Sequence, residues 1–241
     1  MAKINLKELA KGIITVLSYF IGARLLLNFF YFLEKTGILP KTTWINNLLY
    51  FLVYVILLAI LFAIYHNSIK EDYQTFKKNR KECLKTGLNY WLKGLFVMIT
   101  SNIIINFILK LGTSVNEQAN IQLIKQSPLT LVPIVIFLAP CIEELVFRKS
   151  FSKISENKHI FAWTTGLIFG GVHVISSLSD PRTIIFLIPY CSVGIAFGYL
   201  YKKTNTIFSS LSMHILHNTI NIAIILLAII TGGNILEKKK D

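Results

Sequence analysis

The sequence predicts an all-α protein, a polytopic transmembrane helical bundle of about seven or eight membrane helices around a polar intramembrane cavity. Hydrophobic residues make up 54% of the 241 residues and charged residues only 15%, whereas a soluble domain carries about 25% charged residues. The mean hydropathy is +0.58, and the apolar residues occur in long runs. Disordered chains lack such runs, and the alternating pattern of a membrane β-barrel is absent from the sequence.

Seven segments meet the requirement of about 20 mostly apolar residues for a helix that crosses a hydrocarbon core about 30 Å thick. They are 13–33, 44–65, 88–111, 129–151, 160–177, 183–201 and 207–230. The first segment resembles a signal peptide in outline. Because its apolar stretch is too long and no small-residue cleavage site follows it, we expect a retained span.

The chain is expected to form one membrane domain with three parts. Residues 1–127 contain the N-terminal membrane helices with a basic connection at 66–87, residues 128–231 form the core helices, and residues 232–241 are a polar, basic tail. The connection is predicted to lie as an amphipathic helix on the membrane surface.

The formal net charge of +13 is spread over short loops. No single basic stripe is available for nucleic acid, so a nucleic-acid partner is not expected. With a cytoplasmic N-terminus, most lysines and arginines fall in cytoplasmic loops, as the positive-inside rule requires. Seven spans would, however, place the basic tail at 238–240 outside.

Two adjacent glutamates interrupt the apolar fourth segment. An ionisable side chain inside a span costs about 3 kcal/mol on insertion scales unless it is paired or faces water. Glu144 and Arg148 are four residues apart and can form an ion pair on one helix face. Glu143 points about 100° away and has no cation in its own helix, which suits a general base. The alternative is that both acids only mark the cytoplasmic end of the span.

Two later segments also carry polar residues. The fifth contains His173, which is either a catalytic group or a hydrogen-bonded packing residue, and its Gly166 and Gly170 allow close helix packing. In the last segment, His214 and Asn218 share a face and offer donors for a developing oxyanion.

The alternative for His214 and Asn218 is polar packing between helices, and no role is assigned to His217. Counted along each helix from its cytoplasmic end, Glu143 and His214 lie about 10–12 Å deep, Asn218 about 16–18 Å and His173 about 20 Å. The polar groups of three helices are therefore predicted to meet in overlapping layers.

Three motifs lie on separate apolar helices, in the order Glu143-Glu144-x-x-x-Arg148, Phe169-x-x-x-His173 and His214-x-x-x-Asn218. Together they resemble the motifs of the CPBP intramembrane proteases, which include type II CAAX prenyl endopeptidases and bacterial bacteriocin-processing or self-immunity (Abi) proteins. The resemblance covers about 129–230 and implies that residues 128–231 are the catalytic core. Residues before 129 match only in being hydrophobic.

The resemblance implies hydrolysis of a peptide bond in a hydrophobic or membrane-associated peptide, inside a cavity open to water. It further implies a role for each motif residue. Glu143 with His173 would activate water, His214 with Asn218 would stabilise the oxyanion, and Glu144 with Arg148 would hold the fourth helix in place.

A metal is the main mechanistic alternative. Glu143, His173 and His214 would provide three zinc ligands and leave one position open for water. The sequence has no HExxH arrangement that places two ligands and a base on one helix. We therefore favour a glutamate-dependent reaction without a cofactor.

Two other functions remain as alternatives. A non-catalytic bacteriocin self-immunity or regulatory membrane protein of the same fold would have no need for costly buried ionisable groups. A transporter would show internal repeats with interrupted helices, which the sequence lacks. The expected partners are membrane lipids and a hydrophobic peptide or membrane-protein substrate, such as a peptide pheromone or a bacteriocin leader, in a bacterial cell membrane.

Overall fold

The computed structural model describes residues 6–153, 155–175, 178 and 180–231. These residues form eight helices and no strand, which confirms the predicted all-α membrane bundle. The helices are α1 (Leu6–Lys35), α2 (Thr43–Lys78), α3 (Arg80–Ile108), α4 (Val115–Gln126), α5 (Pro128–Lys149), α6 (Lys158–Val174), α7 (Pro181–Thr204) and α8 (Ile207–Ile230). The predicted tail at 232–241 lies outside the described residues.

Within the described ranges, six helices are long and apolar enough to cross a membrane: α1, α2, α3, α5, α7 and α8. The seventh predicted span corresponds to α6, which has only 17 residues. At 1.5 Å per residue it is about 26 Å long, a little less than a hydrocarbon core of about 30 Å. Composition therefore identified all seven segments as helices. Six of them reach the length of a membrane crossing, and α6 is slightly shorter.

The basic connection does not form a separate surface helix. α2 continues through it to Lys78 and α3 begins at Arg80, so that only Asn79 separates the two helices. The prediction was wrong because residues 66–86 contain neither glycine nor proline, and nothing in this stretch interrupts the helix that the apolar run begins.

Several helices begin at residues whose side chains accept hydrogen bonds from the first free backbone N–H groups. This type of cap starts α2, α4, α6, α7 and α8, at Thr42, Ser114, Asn157, Asp180 and Thr206 respectively. Between α7 and α8, Asn205 has a left-handed backbone conformation with φ of 50°, which asparagine tolerates better than most residues. The chain therefore reverses within two residues and brings α8 directly beside α7.

Glycines allow α6 and α7 to approach closely. A Cβ atom at Gly194 would lie 3.1 Å from the Cα of Gly166, and one at Gly198 would lie 2.7 Å from the Cα of Ala162. Each helix thus presents small residues four positions apart to the other, as in other close transmembrane pairs. The packing expected from Gly166 is present.

Contacts at the two ends of the bundle give the helix directions. At one end, Lys149 Nζ of α5 lies 2.8 Å from Asp72 Oδ1 of α2, and the backbone N–H of Ile207 at the start of α8 donates to Asp72 Oδ2 at 2.9 Å. At the other end, Asn47 Nδ2 donates to Ser127 Oγ at 2.7 Å. Helices α2 and α5 are therefore parallel, and α8 runs antiparallel to them.

Candidate active site

The imidazole of His214 on α8 lies between the two adjacent glutamates of α5. Its Nδ1 is 3.0 Å from Oε1 of Glu144, and its Nε2 is 3.5 Å from Oε2 of Glu143. The imidazole is buried. Both of its nitrogens therefore face carboxylates, and the structure brings together three of the predicted site residues at one point.

Glu144 and Arg148 are completely buried beside this histidine. Arg148 Nε lies 3.7 Å from Glu144 Oε2, so the structure contains the ion pair that the spacing predicts. The guanidinium also donates from Nη2 to the carbonyl oxygen of Gly194 on α7 at 3.1 Å, and it lies 5.1 Å from the ring centroid of Phe169 on α6. Arg148 thus connects α5 with both helices of the close pair.

Glu143 has a different environment from its neighbour. Its side chain is 14% exposed, whereas that of Glu144 is 0% exposed. Tyr19 of α1 and Tyr54 of α2 lie within electrostatic range of the Glu143 carboxylate. No sequence pattern distinguishes these two tyrosines from the other tyrosines of the chain. Of the two glutamates, only Glu143 is partly exposed.

His173 lies near this group without contacting Glu143. Its Nδ1 is 2.7 Å from the carbonyl oxygen of Phe169, and its ring stacks on Tyr190 at 4.9 Å. The ring of Phe169 touches both histidines, with centroid distances of 4.5 Å to His173 and 5.8 Å to His214. The Phe169 ring thus contacts both histidines, and the Glu143–His173 pair implied by the family resemblance stays a prediction.

Asn218 lies deeper along α8 and holds it to α5. Its Nδ2 donates to the carbonyl oxygen of Val135 at 2.8 Å, within a π turn that spans Ile134–Leu138. A π turn interrupts the regular pattern of hydrogen bonds between residues four apart, and such turns are frequent at functional sites. Because an amide nitrogen carries two hydrogens, Asn218 retains a second N–H.

A second π turn spans Leu145–Lys149, directly after the glutamates. The six residues Ala139–Glu144 therefore lie between two π turns. These turns change how far successive side chains rotate around α5, which spacing alone does not reveal. Arg148 belongs to the second π turn. The position of its guanidinium relative to the Glu144 carboxylate therefore depends on that turn.

His217, for which the sequence suggested no role, packs against α3. Trp91 Nε1 donates to its Nδ1 at 3.3 Å, and Asn221 lies 3.1 Å from its Nε2. Since a nitrogen that accepts a hydrogen bond carries no proton, His217 is a neutral packing residue. Its contacts lie on a different side of α8 from those of His214.

The three predicted zinc ligands do not all come together, because His173 does not join the contact between Glu143 and His214. Among the side chains that the structure describes, no three of His, Cys, Asp or Glu form a group able to hold a metal ion. Both nitrogens of His214 face carboxylates, and His173 turns its Nδ1 to its own helix. In this arrangement Glu143, His173 and His214 do not surround one position and therefore do not fit a zinc ion.

Residues 125–220 match the family described as "Type II CAAX prenyl endopeptidase Rce1-like". We call these residues the Rce1-like segment, after the family to which they are similar. It contains all six predicted site residues but covers less than half of the chain. The match agrees with the resemblance drawn from the motifs.

Two bacterial proteins are similar over a longer stretch that goes beyond the Rce1-like segment. The "Putative membrane peptidase YdiL" of Bacillus subtilis (strain 168) is 25% identical over 154 residues, which is 61% of this chain and 59% of the relative. An "Uncharacterized protein" of Mycoplasma capricolum subsp. capricolum is 27% identical over 183 residues, or 70% and 53%. The chain thus spans less than two thirds of either relative. No solved structure matches it.

Proposed function

We propose that this protein is an intramembrane endopeptidase that hydrolyses a peptide bond in a hydrophobic or membrane-associated peptide, with Glu143 as the general base. The supporting observation is the unequal environment of the two glutamates around His214. Glu144 is sealed against Arg148, while Glu143 is partly accessible and 3.5 Å from the imidazole. A purely structural ion pair would not require the second, accessible carboxylate.

Glu144 orients the histidine in this scheme. When His214 donates its Nδ1–H to Glu144, the neutral ring presents an unprotonated Nε2 to Glu143. Glu143 takes a proton from the attacking water, and the Glu143–His214 pair retains it. The water oxygen bonds to the carbonyl carbon, the C–N bond breaks, and the retained proton passes to the leaving amine. The distance of 3.5 Å between Glu143 and His214 is compatible with this role, because catalytic hydrogen bonds are often long without substrate and shorten when the substrate binds.

We propose that Asn218 stabilises the oxyanion of the tetrahedral intermediate. It would donate the second N–H of its side-chain amide, which is not bonded to the carbonyl oxygen of Val135. His214 was expected to share this role. Because both of its nitrogens face carboxylates, we assign it to proton transfer instead. His173 donates from Nδ1 to the carbonyl oxygen of Phe169, which leaves Nε2 as an acceptor. As the family resemblance implies, we assign this nitrogen to orienting the attacking water.

We infer the substrate class from the membrane location and from the organisms of the similar proteins, and not from the shape of a pocket. The similar proteins come from Bacillus and Mycoplasma, which favours a bacterial cell membrane. A peptide pheromone, a bacteriocin leader or a segment of a membrane protein therefore suits the chain better than a prenylated CAAX protein. We place the N-terminus in the cytoplasm on the distribution of basic residues.

The test is Glu143→Ala. Membranes from cells that carry the intact protein or this variant are compared by mass spectrometry of their peptides. Cleavage products should disappear with the variant, with a rate loss of about 100-fold or more, as expected when a general base is removed. Glu71→Ala, an exposed acid on α2, is the matched control and should cleave normally.

A fully active Glu143→Ala variant would refute the proposal. If a biological effect such as protection against a bacteriocin survives the loss of both Glu143 and His173, the non-catalytic immunity function is favoured instead. Insertion and folding of each variant are checked by its yield in membranes and its elution profile in detergent.

A further inference from the structure

An open, shallow depression lies along the outer face of α3, away from the candidate active site, and all of its lining residues belong to this helix. It has a volume of about 690 Å³ and is lined by Lys85, Asn89, Leu92, Lys93, Phe96 and Val97, and we call it the α3 groove. A smaller hollow of about 260 Å³ adjoins it, shares three of these residues and adds Lys203 of α7. Trp91, on the opposite face of α3, is the residue that packs against α8.

The groove changes from polar to apolar along the helix. Lys85, Asn89 and Lys93 follow one another at four-residue intervals and therefore share a face. Further along, Leu92, Phe96 and Val97 are 54%, 72% and 44% exposed. Since α3 is one of the apolar helices long enough to cross a membrane, this exposed apolar part faces lipid chains.

Lys93 would be costly in this position without a partner. It lies about 12 Å further along α3 than Lys85, in the apolar part of the helix. Its Nζ is 5.8 Å from the ring centroid of Tyr90, one turn closer to the start of α3, so the side chain leans back toward Asn89 and Lys85. Helical side chains lean in this direction, and lysines near membrane surfaces extend toward the headgroups.

The positive charge of the groove is not neutralised by the protein. Neither Lys85, Lys93 nor Lys203 forms an ion pair with any described residue. Glu82 is the one acid that lines the adjoining hollow, and it accepts a hydrogen bond from Thr86 at 3.2 Å. The lining therefore has a surplus of positive charge at the polar end and an apolar track beyond it.

We propose that the α3 groove binds an anionic phospholipid. The phosphate lies between the ammonium groups of Lys85 and Lys93, with the Asn89 amide as a further donor, and one acyl chain follows Leu92 and Phe96. Charge complementarity selects an anionic headgroup, and the apolar track selects a molecule with a hydrocarbon chain rather than a soluble anion.

The test uses the full chain in a neutral detergent. Phosphatidylglycerol or phosphatidylcholine with the same acyl chains is added, and bound lipids are counted by native mass spectrometry. We expect at least one tightly bound phosphatidylglycerol and no equivalent phosphatidylcholine. Lys85→Gln with Lys93→Gln should weaken this binding about 10-fold or more, since each basic residue near an anionic surface contributes measurably.

Two matched variants complete the experiment. Lys77→Gln with Lys78→Gln removes the same charge from exposed residues near the end of α2 and should bind lipid like the unaltered protein. Lys85→Arg with Lys93→Arg keeps the charge and should retain the lipid, even where the glutamine variant folds poorly. Excess inorganic phosphate should not displace the lipid.

The proposal is overturned if the Lys85/Lys93 glutamine variant retains phosphatidylglycerol fully, or if the Lys77/Lys78 variant loses as much. Equal retention of phosphatidylcholine, or displacement by inorganic phosphate, would also reject it. A dimer that disappears only in the Lys85/Lys93 variants would assign the groove to a second copy of the chain.

Discussion

Glu143 and Glu144 are adjacent and chemically identical, but their surroundings in the bundle differ. Spacing alone indicated that Glu144 pairs with Arg148 and that Glu143 has no cation on its helix, and the structure agrees on both points. Spacing did not indicate that His214 would touch both carboxylates. That contact depends on the rotation of α5 relative to α8, which the two π turns alter.

We predict that Glu144→Ala destabilises the protein whereas Glu143→Ala does not. The first change leaves the buried guanidinium of Arg148 without its carboxylate, and breaking a buried pair in this way costs about 3–5 kcal/mol. The measurement is thermal unfolding in detergent. The double variant Glu144→Leu/Arg148→Met should recover part of the loss, and a Glu144→Ala variant as stable as the unaltered protein would contradict the prediction.

At the scale of helices, composition predicted the long spans because each contains an uninterrupted apolar run. Composition was less informative for α6, whose 17 residues are close to the minimum for crossing. It also missed α4, where Ile121 and Ile124 are buried within a mainly polar helix too short to span. The residue pattern of one segment does not show how much of that segment is buried by neighbouring helices.

We predict that Gly166→Ala disrupts the close pair of α6 and α7. The added Cβ would lie 2.6 Å from the backbone nitrogen of Ile195, so the helices must separate, at a cost of about 1–3 kcal/mol for overpacking. Gly171→Ala is the matched control on the same helix, because its Cβ would meet nothing within 4 Å. Thermal unfolding of the two variants should differ clearly, and equal stability would contradict the packing argument.

For the whole molecule, the basic residues gather at the end of the bundle where α2 ends and α8 begins. α2 has 36 residues and is therefore about 54 Å long, more than the roughly 40–45 Å of a bilayer with its headgroups. We therefore expect its basic C-terminal part to extend beyond the membrane. The positive-inside rule, applied to this end, predicts its side of the membrane but not the contacts made there.

We predict that a cysteine placed at Lys78 reacts with a membrane-impermeant maleimide only from the cytoplasmic side, and one at Lys41 only from the opposite side. Lys41 lies between α1 and α2, at the other end of α2. Cys83, Cys141 and Cys191, which are free, are first replaced by serine. Labelling of intact cells and of inverted vesicles is compared, and the reverse pattern would overturn the orientation.

Asp72, which lies outside the Rce1-like segment, makes two contacts with residues inside it. Its carboxylate binds Lys149 and the first N–H of α8, both inside residues 125–220, yet Asp72 itself belongs to α2. Excision of the segment would therefore leave a buried ammonium without its counter-ion and the start of α8 without an acceptor. The family match begins at residue 125, but the folding unit extends at least as far back as the helix that supplies this carboxylate.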